Sequence, residues 1–248
     1  MERNIFLEIE YLGSNYFGFQ IQEKRTPAQN TVQAQLEKAI YKLFKEKIRI
    51  AYAGRTDRGV HAKAFAVNFK VDSKIPLKSI KKVLNDFLPP DIRVKKVKRV
   101  SIQFHARFSA KSKIYRYIIY CGSNYSVFNC GFVWHIATEL NLSKLRSGAK
   151  KLIGKKNFFV FAKEAKKYKD CIRDLMDIRV RKYGNYIYID IKANGFLRNM
   201  ARNIVTFLVK VAKEEVLIKD ISAILKQKKS YVNKPAPACG LYFYKVYY

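Results

Sequence analysis

The chain has 248 residues, enough to bury a substantial core as one large domain or two small ones. Hydrophobic residues make up 49% and aromatic residues 14% of the chain, which argues against global disorder. Fifty Lys and Arg against 19 Asp and Glu give a formal net charge of +31. This excess points to a polyanionic partner such as nucleic acid, although a lysine-rich compositional bias would raise the charge in the same way.

The four cysteines form no Cys-x-x-Cys pair and have no histidine at zinc-ligand spacing. We therefore expect reduced, mostly packed thiols and no metal site. No apolar run is long enough to span a bilayer, and residues 1–4 begin no signal-peptide core. These features predict a cytoplasmic protein with no membrane partner.

The first half of the chain alternates between strand-like and helix-like patterns. In chain order, the patterns predict a strand at 5–12, a helix after a capping box at 30–33, strands at 48–53 and 65–70, a helix begun by Pro76 and stopped at 88–91, and a strand at 92–97. This order, β-α-β-β-α-β, is ferredoxin-like.

The second half repeats that order. The patterns predict a strand at 114–120, a helix from Leu142 that ends at Gly154, a hairpin of 177–181 with 186–193, a long helix at 197–211, a short helix near 220–225 and a strand at 241–247. We therefore predict an α+β protein of two pseudo-duplicated ferredoxin-like halves, 1–108 and 109–248. The halves are expected to form a mostly antiparallel sheet with helices on one side and a basic cleft between them.

A basic stretch supports this expectation of a charged cleft. Between Lys144 and Lys182 there are fourteen basic residues against four acidic ones. Such a run is usually a solvated face, but on one side of a cleft it would bind a phosphate backbone.

The segment between the second and third predicted strands, 53–64, reads Ala-Gly-Arg-Thr-Asp-Arg-Gly-Val-His-Ala-Lys-Ala. Its one carboxylate, Asp57, lies between Arg55 and Arg58, and charges this close favour the ionised form. The glycines on either side allow tight bends and the close approach of a ligand. Asp-Arg-Gly is also an ordinary surface turn, and the residues alone favour that interpretation over a catalytic site.

Two neighbouring features also have two interpretations. His61 follows Asp57 by four positions, but no third ligand is evident, so we expect a structural histidine rather than a metal ligand. Residues 16–22 mix aromatic and amide side chains, which fits either stacking on bases or a packed edge segment.

The 53–64 segment closely resembles the Gly-Arg-Thr-Asp-x-Gly-Val-His-Ala signature of the TruA family of tRNA pseudouridine synthases. Other stretches resemble the same family in the same order: Phe-His-Ala-Arg-Phe-Ser-Ala at 104–110, Tyr-Arg-Tyr at 115–117, the helix motif at 193–205 and Pro-Ala-Cys-Gly-Leu-Tyr at 237–242. The similar stretches span residues 5–245. Two positions depart from the family pattern, since Arg58 replaces a small residue common in bacterial members and Phe19 stands where tryptophan is often found.

The resemblance implies an isomerase that converts uridine to pseudouridine at the base of the anticodon stem-loop of tRNA. It implies a homodimer and no cofactor. Two alternatives remain at this point. One is a non-catalytic RNA-binding protein or RNA chaperone with the same fold, and the other is a pseudouridine synthase for another RNA.

The resemblance also implies roles for individual residues. Asp57 would be the catalytic carboxylate, with Arg55 paired to it. Tyr115 would stack on the target uracil and take part in proton transfer. Three further substrate-binding residues are implied: Arg58 to fill the gap left by a flipped nucleotide or to hold a phosphate, Arg202 to face the carboxylate, and Leu241 to line the uracil pocket.

Overall fold

The computed structural model describes residues 1–22, 30–229, 231 and 234–248. Within these residues the chain forms ten β-strands and five α-helices, which confirms the predicted α+β class. The chain divides into two compact units, Met1–Lys111 with Tyr242–Tyr248, and Ser112–Leu241. In this described part of the chain, no helix is long and apolar enough to cross a membrane.

The first unit contains the first four strands, the first two helices and nearly all of the last strand. The bounds are β1 Glu2–Tyr11, α1 Val32–Phe44, β2 Ala51–Tyr52, β3 His61–Asp72, α2 Leu77–Phe87, β4 Ile92–Val100 and the last strand, β10, Leu241–Tyr247. Strand β1 lies between β4 and β3 and is antiparallel to both. Strand β3 also pairs with β2, antiparallel, and with β10, parallel.

Alternate apolar residues of β1 face the core, whereas residues 65–69 of β3 are buried on both faces of the sheet. In β1, Ile5, Leu7 and Ile9 are completely buried. Strand β3 is longer than predicted and begins at His61, directly after the loop that carries Asp57.

Other boundaries in this unit also differ from the prediction. The N-cap of α1 is Thr31 rather than Asn30, because the Thr31 Oγ1 accepts a hydrogen bond from the Ala34 N–H at 3.3 Å. Strand β2 has two residues instead of the predicted six. The residues directly before β2 do not extend its pairing with β3, because the Ile50 N–H donates instead to the Glu37 carboxylate at 3.2 Å.

The second unit contains five strands and three helices. The bounds are β5 Ser112–Cys121, β6 Trp134–Ile136, α3 Leu142–Leu152, β7 Gly154–Asn157, β8 Ile172–Tyr183, β9 Tyr186–Ala193, α4 Met200–Ala212 and α5 Ile221–Leu225. Strands β5, β9, β8 and β7 are neighbours in that order and antiparallel, and β6 is parallel to β5. Strands β6 and β7 were not predicted, because three or four residues are too few for a periodic pattern.

The long helix α4 begins three residues later than predicted. Asn199 has a left-handed backbone, with φ of 61°, which interrupts the helical repeat before Met200. Leu197 is nevertheless buried, and its carbonyl accepts a hydrogen bond from the Met200 N–H at 3.1 Å. The apolar pattern therefore begins three residues before the helix, because the turn that precedes the helix packs into the same core.

All four cysteines are free thiols, as predicted. Cys121 and Cys171 are buried, and burial raises the pKa of both thiols. Both groups therefore remain protonated near neutral pH and act as small apolar side chains.

Candidate active site

The loop from Ala53 to Val60, here called the Asp57 loop, connects β2 to β3. Asp57 is half-buried in it, whereas the flanking Arg55 and Arg58 are exposed. The Asp57 carbonyl accepts a hydrogen bond from the Val60 N–H at 3.2 Å, which closes a four-residue turn. The third position of this turn, Gly59, has φ of 79°, a value that glycine adopts without strain.

Thr56, directly before Asp57, is the anchor of the loop. It is buried, and its carbonyl accepts a hydrogen bond from the Phe19 N–H at 3.2 Å. Its hydroxyl is hydrogen-bonded to the Tyr11 hydroxyl at 2.8 Å. A Cβ on Gly18 would lie 2.7 Å from the Thr56 carbonyl oxygen, so the two backbones pack too closely for a side chain there. The neighbouring segment therefore holds the position of Asp57 through its backbone.

His61 fixes the other end of the loop. Its side chain is completely buried, and its Nδ1 accepts a hydrogen bond from the Gly13 N–H at 3.1 Å. Its ring is stacked on Tyr242 with centroids 4.9 Å apart. Buried polar groups of this kind are stable only when hydrogen-bonded. This is the arrangement of a structural histidine, the role expected from the sequence.

The aromatic residues at 16–19 pack against the protein. Phe19 is completely buried, with its ring centroid 4.4 Å from that of Phe65. Tyr16 is buried and donates a hydrogen bond to the Asp91 carboxylate. Phe17 lies beneath the Arg58 guanidinium, 4.6 Å from the ring centroid. Of the two interpretations of this segment, packing therefore describes these three residues.

Tyr115 lies on β5 in the second unit. Only 8% of the residue is exposed, and its ring meets Phe196 edge to face with centroids 4.8 Å apart. The next residue, Arg116, points to the opposite face and forms a bidentate ion pair with Asp190, with N–O distances of 2.6 and 2.8 Å. The Arg116–Asp190 ion pair between β5 and β9 therefore helps to fix the backbone at Tyr115, and Phe196 contacts the Tyr115 ring.

Arg202, on α4, is attached to the segment before the last strand. Its Nε donates to the Ala236 carbonyl at 2.6 Å, and the Ala236 N–H donates to the Arg202 carbonyl at 3.4 Å. Close by in the same segment, the Pro237 carbonyl accepts a hydrogen bond from the Tyr117 hydroxyl at 2.7 Å. These bonds hold the chain that leads to Leu241, which is buried.

Gly240 is required where this segment crosses β5. A Cβ there would lie 2.7 Å from the Tyr117 ring and 2.9 Å from the Ile118 carbonyl oxygen. Burial raises the pKa of Tyr117, and nearby Cys239 adds to the rise while Arg202 opposes it. The Tyr117 hydroxyl therefore stays protonated near neutral pH and remains a donor to the terminal segment.

Replacing Tyr117 by phenylalanine is expected to lower the free energy of unfolding by about 1 kcal/mol, because it removes one buried hydrogen bond. For a chain of this size, that is a fall of about 2–4 °C in Tm. Differential scanning calorimetry measures it. Tyr183→Phe is the control, since Tyr183 is 64% exposed. An equal Tm change in the two variants would show that the Pro237 bond contributes nothing.

The structure thus groups the predicted site residues by unit. Arg55, Asp57 and Arg58 come together in the Asp57 loop, and the pairing of Arg55 with Asp57 stays a prediction. The second unit holds Tyr115, and its α4 and terminal segment hold the other two predicted residues, Arg202 and Leu241. Across the described residues, no group of three or more His, Cys, Asp or Glu side chains is placed to hold a metal ion.

Sequence reasoning missed the residues that support these groups. Gly13 and Gly18 each allow a close backbone approach to the Asp57 loop, and the sequence pattern indicated this role for neither. The hydrogen bond of Tyr117 was also missed. Alternation along β5 does indicate that Tyr117 is buried, but nothing local identifies a partner 120 positions away.

Comparison with known proteins supports the same conclusion as the motifs. The family model described as tRNA pseudouridine synthase matches residues 8–109 and 149–248. The tRNA pseudouridine synthase A of Caldicellulosiruptor saccharolyticus is 39% identical, covering 99% of this chain and 100% of its own length. Proteins of the same name from Thermoanaerobacter sp. and Borreliella afzelii are 38% and 37% identical, covering 99% of this chain and 100% and 99% of their own lengths.

The chain belongs to the tRNA pseudouridine synthase family, a family of isomerases. Within that family its relatives are the enzymes called tRNA pseudouridine synthase A, or TruA, so the predicted family is confirmed.

Proposed function

We propose that this isomerase converts uridine to pseudouridine at the base of the anticodon stem-loop of tRNA, using the Asp57 carboxylate and no cofactor. The observation that carries the proposal is the Asp57 loop. It combines a half-buried carboxylate, two exposed arginines and a backbone held by Thr56 and His61. A surface turn without function has no need of such fixation, whereas a catalytic carboxylate must be held within a fraction of an ångström.

The reaction itself defines what the carboxylate does. The bond from the ribose to uracil N1 breaks, a bond from the ribose to uracil C5 forms, the C5 hydrogen leaves as a proton and N1 gains a proton. The product is therefore an isomer, and no electrons are transferred to or from it. A carboxylate beside the sugar and the base can stabilise the electron-poor intermediate or bond to it. We assign this role to Asp57.

The other residues are proposed to bind the substrate. Tyr115, fixed by Phe196, would contact the uracil ring and assist transfer of its C5 proton. Arg55 would pair with the carboxylate, and Arg58 would replace the flipped nucleotide in the stem or hold a phosphate. The anchored residues of the second unit, Arg202 and Leu241, would face the carboxylate and line the uracil pocket.

We further propose that the fold is a duplication of a ferredoxin-like half, 1–108 and 109–248. In the first unit, β4, β1, β3 and β2 are adjacent in that order and antiparallel, which supports a ferredoxin-like first half. In the second unit, β5, α3, β8, β9 and α4 follow one another in the corresponding order. The basic cleft, the homodimer and the cytoplasmic location stay predictions.

The net charge of +31 predicts strongly salt-dependent binding of tRNA. Each phosphate contact releases condensed counterions, so about four contacts already lower the affinity about 150-fold between 50 and 200 mM salt. Fluorescence anisotropy with a labelled tRNA transcript over that range tests this. Binding that is independent of salt would contradict a phosphate-binding surface.

Release of tritium from tRNA labelled at uracil C5 tests the proposed function, because the reaction exchanges that hydrogen with water. We expect release by the wild type and none by Asp57 variants that still bind tRNA. Tight binding of tRNA without release by the wild type would favour the alternatives, a non-catalytic RNA-binding protein or a different RNA substrate.

A further inference from the structure

Tyr11, the last residue of β1, connects the core of the first unit to the Asp57 loop. The residue is 3% exposed. Its ring centroid lies 6.2 Å from that of Phe19 and 5.8 Å from that of Phe65, so the ring is fixed inside an aromatic cluster. Its hydroxyl oxygen lies 2.8 Å from the Oγ1 of Thr56. One buried hydrogen bond thus joins a core strand to the residue directly before Asp57.

The strand register changes where this contact is made. On β3, Phe65 is opposite Ile9 and Ala62 is opposite Tyr11, so β3 has one residue more than β1 between the two pairs. In a regular antiparallel ladder, Lys63 would be opposite Tyr11. A bulge of this kind bends the strand and changes the direction of nearby side chains. The sheet therefore departs from regular pairing at the place where Tyr11 meets the Asp57 loop.

The hydroxyl of Tyr11, rather than its ring, makes this contact specific. Phenylalanine would fill the same place beside Phe19 and Phe65 without burying a polar group. A buried hydroxyl costs free energy unless it is hydrogen-bonded, so the Tyr11–Thr56 pair favours the loop position in which the two hydroxyls meet. The Thr56 carbonyl also accepts a hydrogen bond from the Phe19 N–H at 3.2 Å. The residue before Asp57 is therefore held through its side chain and through its backbone.

We propose that Tyr11 is a positioning residue for the reaction, which acts through the Thr56 hydroxyl to hold the Asp57 carboxylate in place. The inference rests on the proposed function in taking Asp57 as the reacting carboxylate. Misplacement of a catalytic group by about 1 Å costs about 100-fold in rate. Attraction of tRNA depends on the charge of the protein, which a change of the Tyr11 hydroxyl does not alter. The effect therefore belongs to kcat and not to KM.

Tyr11→Phe tests this role, because it removes the hydroxyl and keeps the ring. We expect kcat for tritium release from uracil-labelled tRNA to fall about 10- to 100-fold, since the backbone hydrogen bonds of the loop remain. The KM for tRNA, and the tRNA affinity measured by fluorescence anisotropy, are expected to equal the wild-type values. A higher KM with the wild-type kcat would overturn the inference, because it would place Tyr11 in binding rather than in positioning.

Substitutions of Thr56 test the same hydrogen bond from its other end. Thr56→Val removes the hydroxyl and is expected to lower kcat as much as Tyr11→Phe does. Thr56→Ser keeps the hydroxyl and is expected to retain the wild-type kcat. The double variant, Tyr11→Phe with Thr56→Val, is expected to lose no more than either single variant, since each removes the same bond. Losses that multiply in the double variant would indicate two independent roles and overturn the inference.

Tyr16→Phe is the matched control for a general loss of stability. Tyr16 is 2% exposed in the same unit, and its hydroxyl donates to the Asp91 carboxylate rather than to the Asp57 loop. The same atom is thus removed from an equally buried ring. We expect a lower Tm from both variants by calorimetry, but a lower kcat from Tyr11→Phe alone. An equal fall in kcat from Tyr16→Phe would show that the loss of any buried hydroxyl has this effect, and the positioning role would be wrong.

The same tritium assay separates this inference from the proposed function. If the wild type releases tritium, Asp57→Asn does not, and Tyr11→Phe keeps the wild-type kcat, then the positioning role is wrong and the function stands. If the wild type releases no tritium, the proposed function is wrong and the inference fails with it. Wild-type release by Asp57→Asn would overturn the role of Asp57 and therefore also that of Tyr11.

Discussion

Asp57→Asn is expected to reduce tritium release from uracil-labelled tRNA by about 10⁴-fold or more, the scale of effect seen when a group that bonds to the substrate is removed. The amide has nearly the shape of the carboxylate but neither its charge nor its nucleophilicity. Because the Asp57 loop is held through the backbone of Thr56, Asp57 and Val60, the loop itself should keep its conformation. The expected Tm is therefore that of the wild type.

Binding of tRNA should survive this substitution. Asp57→Asn removes one negative charge from a chain whose formal charge is already +31, so electrostatic attraction to RNA does not fall. The matched control is Asp86→Asn, which makes the same charge change at an exposed position on α2. We expect wild-type release from Asp86→Asn. Equal release from the two variants would show that Asp57 has no part in the reaction.

The second large effect is expected from Gly13→Ala, at a position that touches no substrate in our proposal. A Cβ on residue 13 would lie 2.0 Å from the Val60 carbonyl oxygen and 2.6 Å from its carbon. Both are backbone atoms, so no rotation of a side chain can relieve the clash. The Gly13 N–H also donates to His61, so the same shift would weaken that buried hydrogen bond.

The expected consequence of Gly13→Ala is displacement of the Asp57 loop. Overpacking typically costs about 1–3 kcal/mol, which lowers Tm by about 2–12 °C in a chain of this size. A displacement of about 1 Å at the carboxylate would also reduce tritium release about 100-fold. Calorimetry and tritium release together measure both effects.

Gly195→Ala provides the comparison for Gly13→Ala. At Gly195 the nearest atoms to an added Cβ belong to the Arg173 side chain at 3.7 Å, an ordinary contact distance. We expect little change in Tm from this variant. If Gly13→Ala matched Gly195→Ala in both stability and activity, the close approach of Gly13 to Val60 would not be what positions the loop.

The sequence was most informative where local pattern and structure coincide. Strand β10 occupies the predicted residues 241–247, and helix α3 begins at the predicted Leu142, because each has a clear apolar period of its own. Helix α3 ends at Leu152, two residues before the predicted end at Gly154, where β7 begins. The position of Asp57 on a loop between two strands was also predictable, since strand-like patterns flank it on both sides. The ordered motifs likewise predicted the family that the comparisons confirm.

The sequence by itself therefore determined the α+β class, most of the elements and the family. The tertiary structure decided which residues support one another: Gly13 against Val60 and His61, Tyr117 bonded to Pro237, and the pair Asn4 and Asn68 bonded to the backbone of Phe104 and Ala106. The physical reason is the separation of the interacting residues along the sequence. A helix or strand pattern depends on neighbours a few positions apart, whereas these contacts join residues 36 to 120 positions apart and exist only once the sheets have formed.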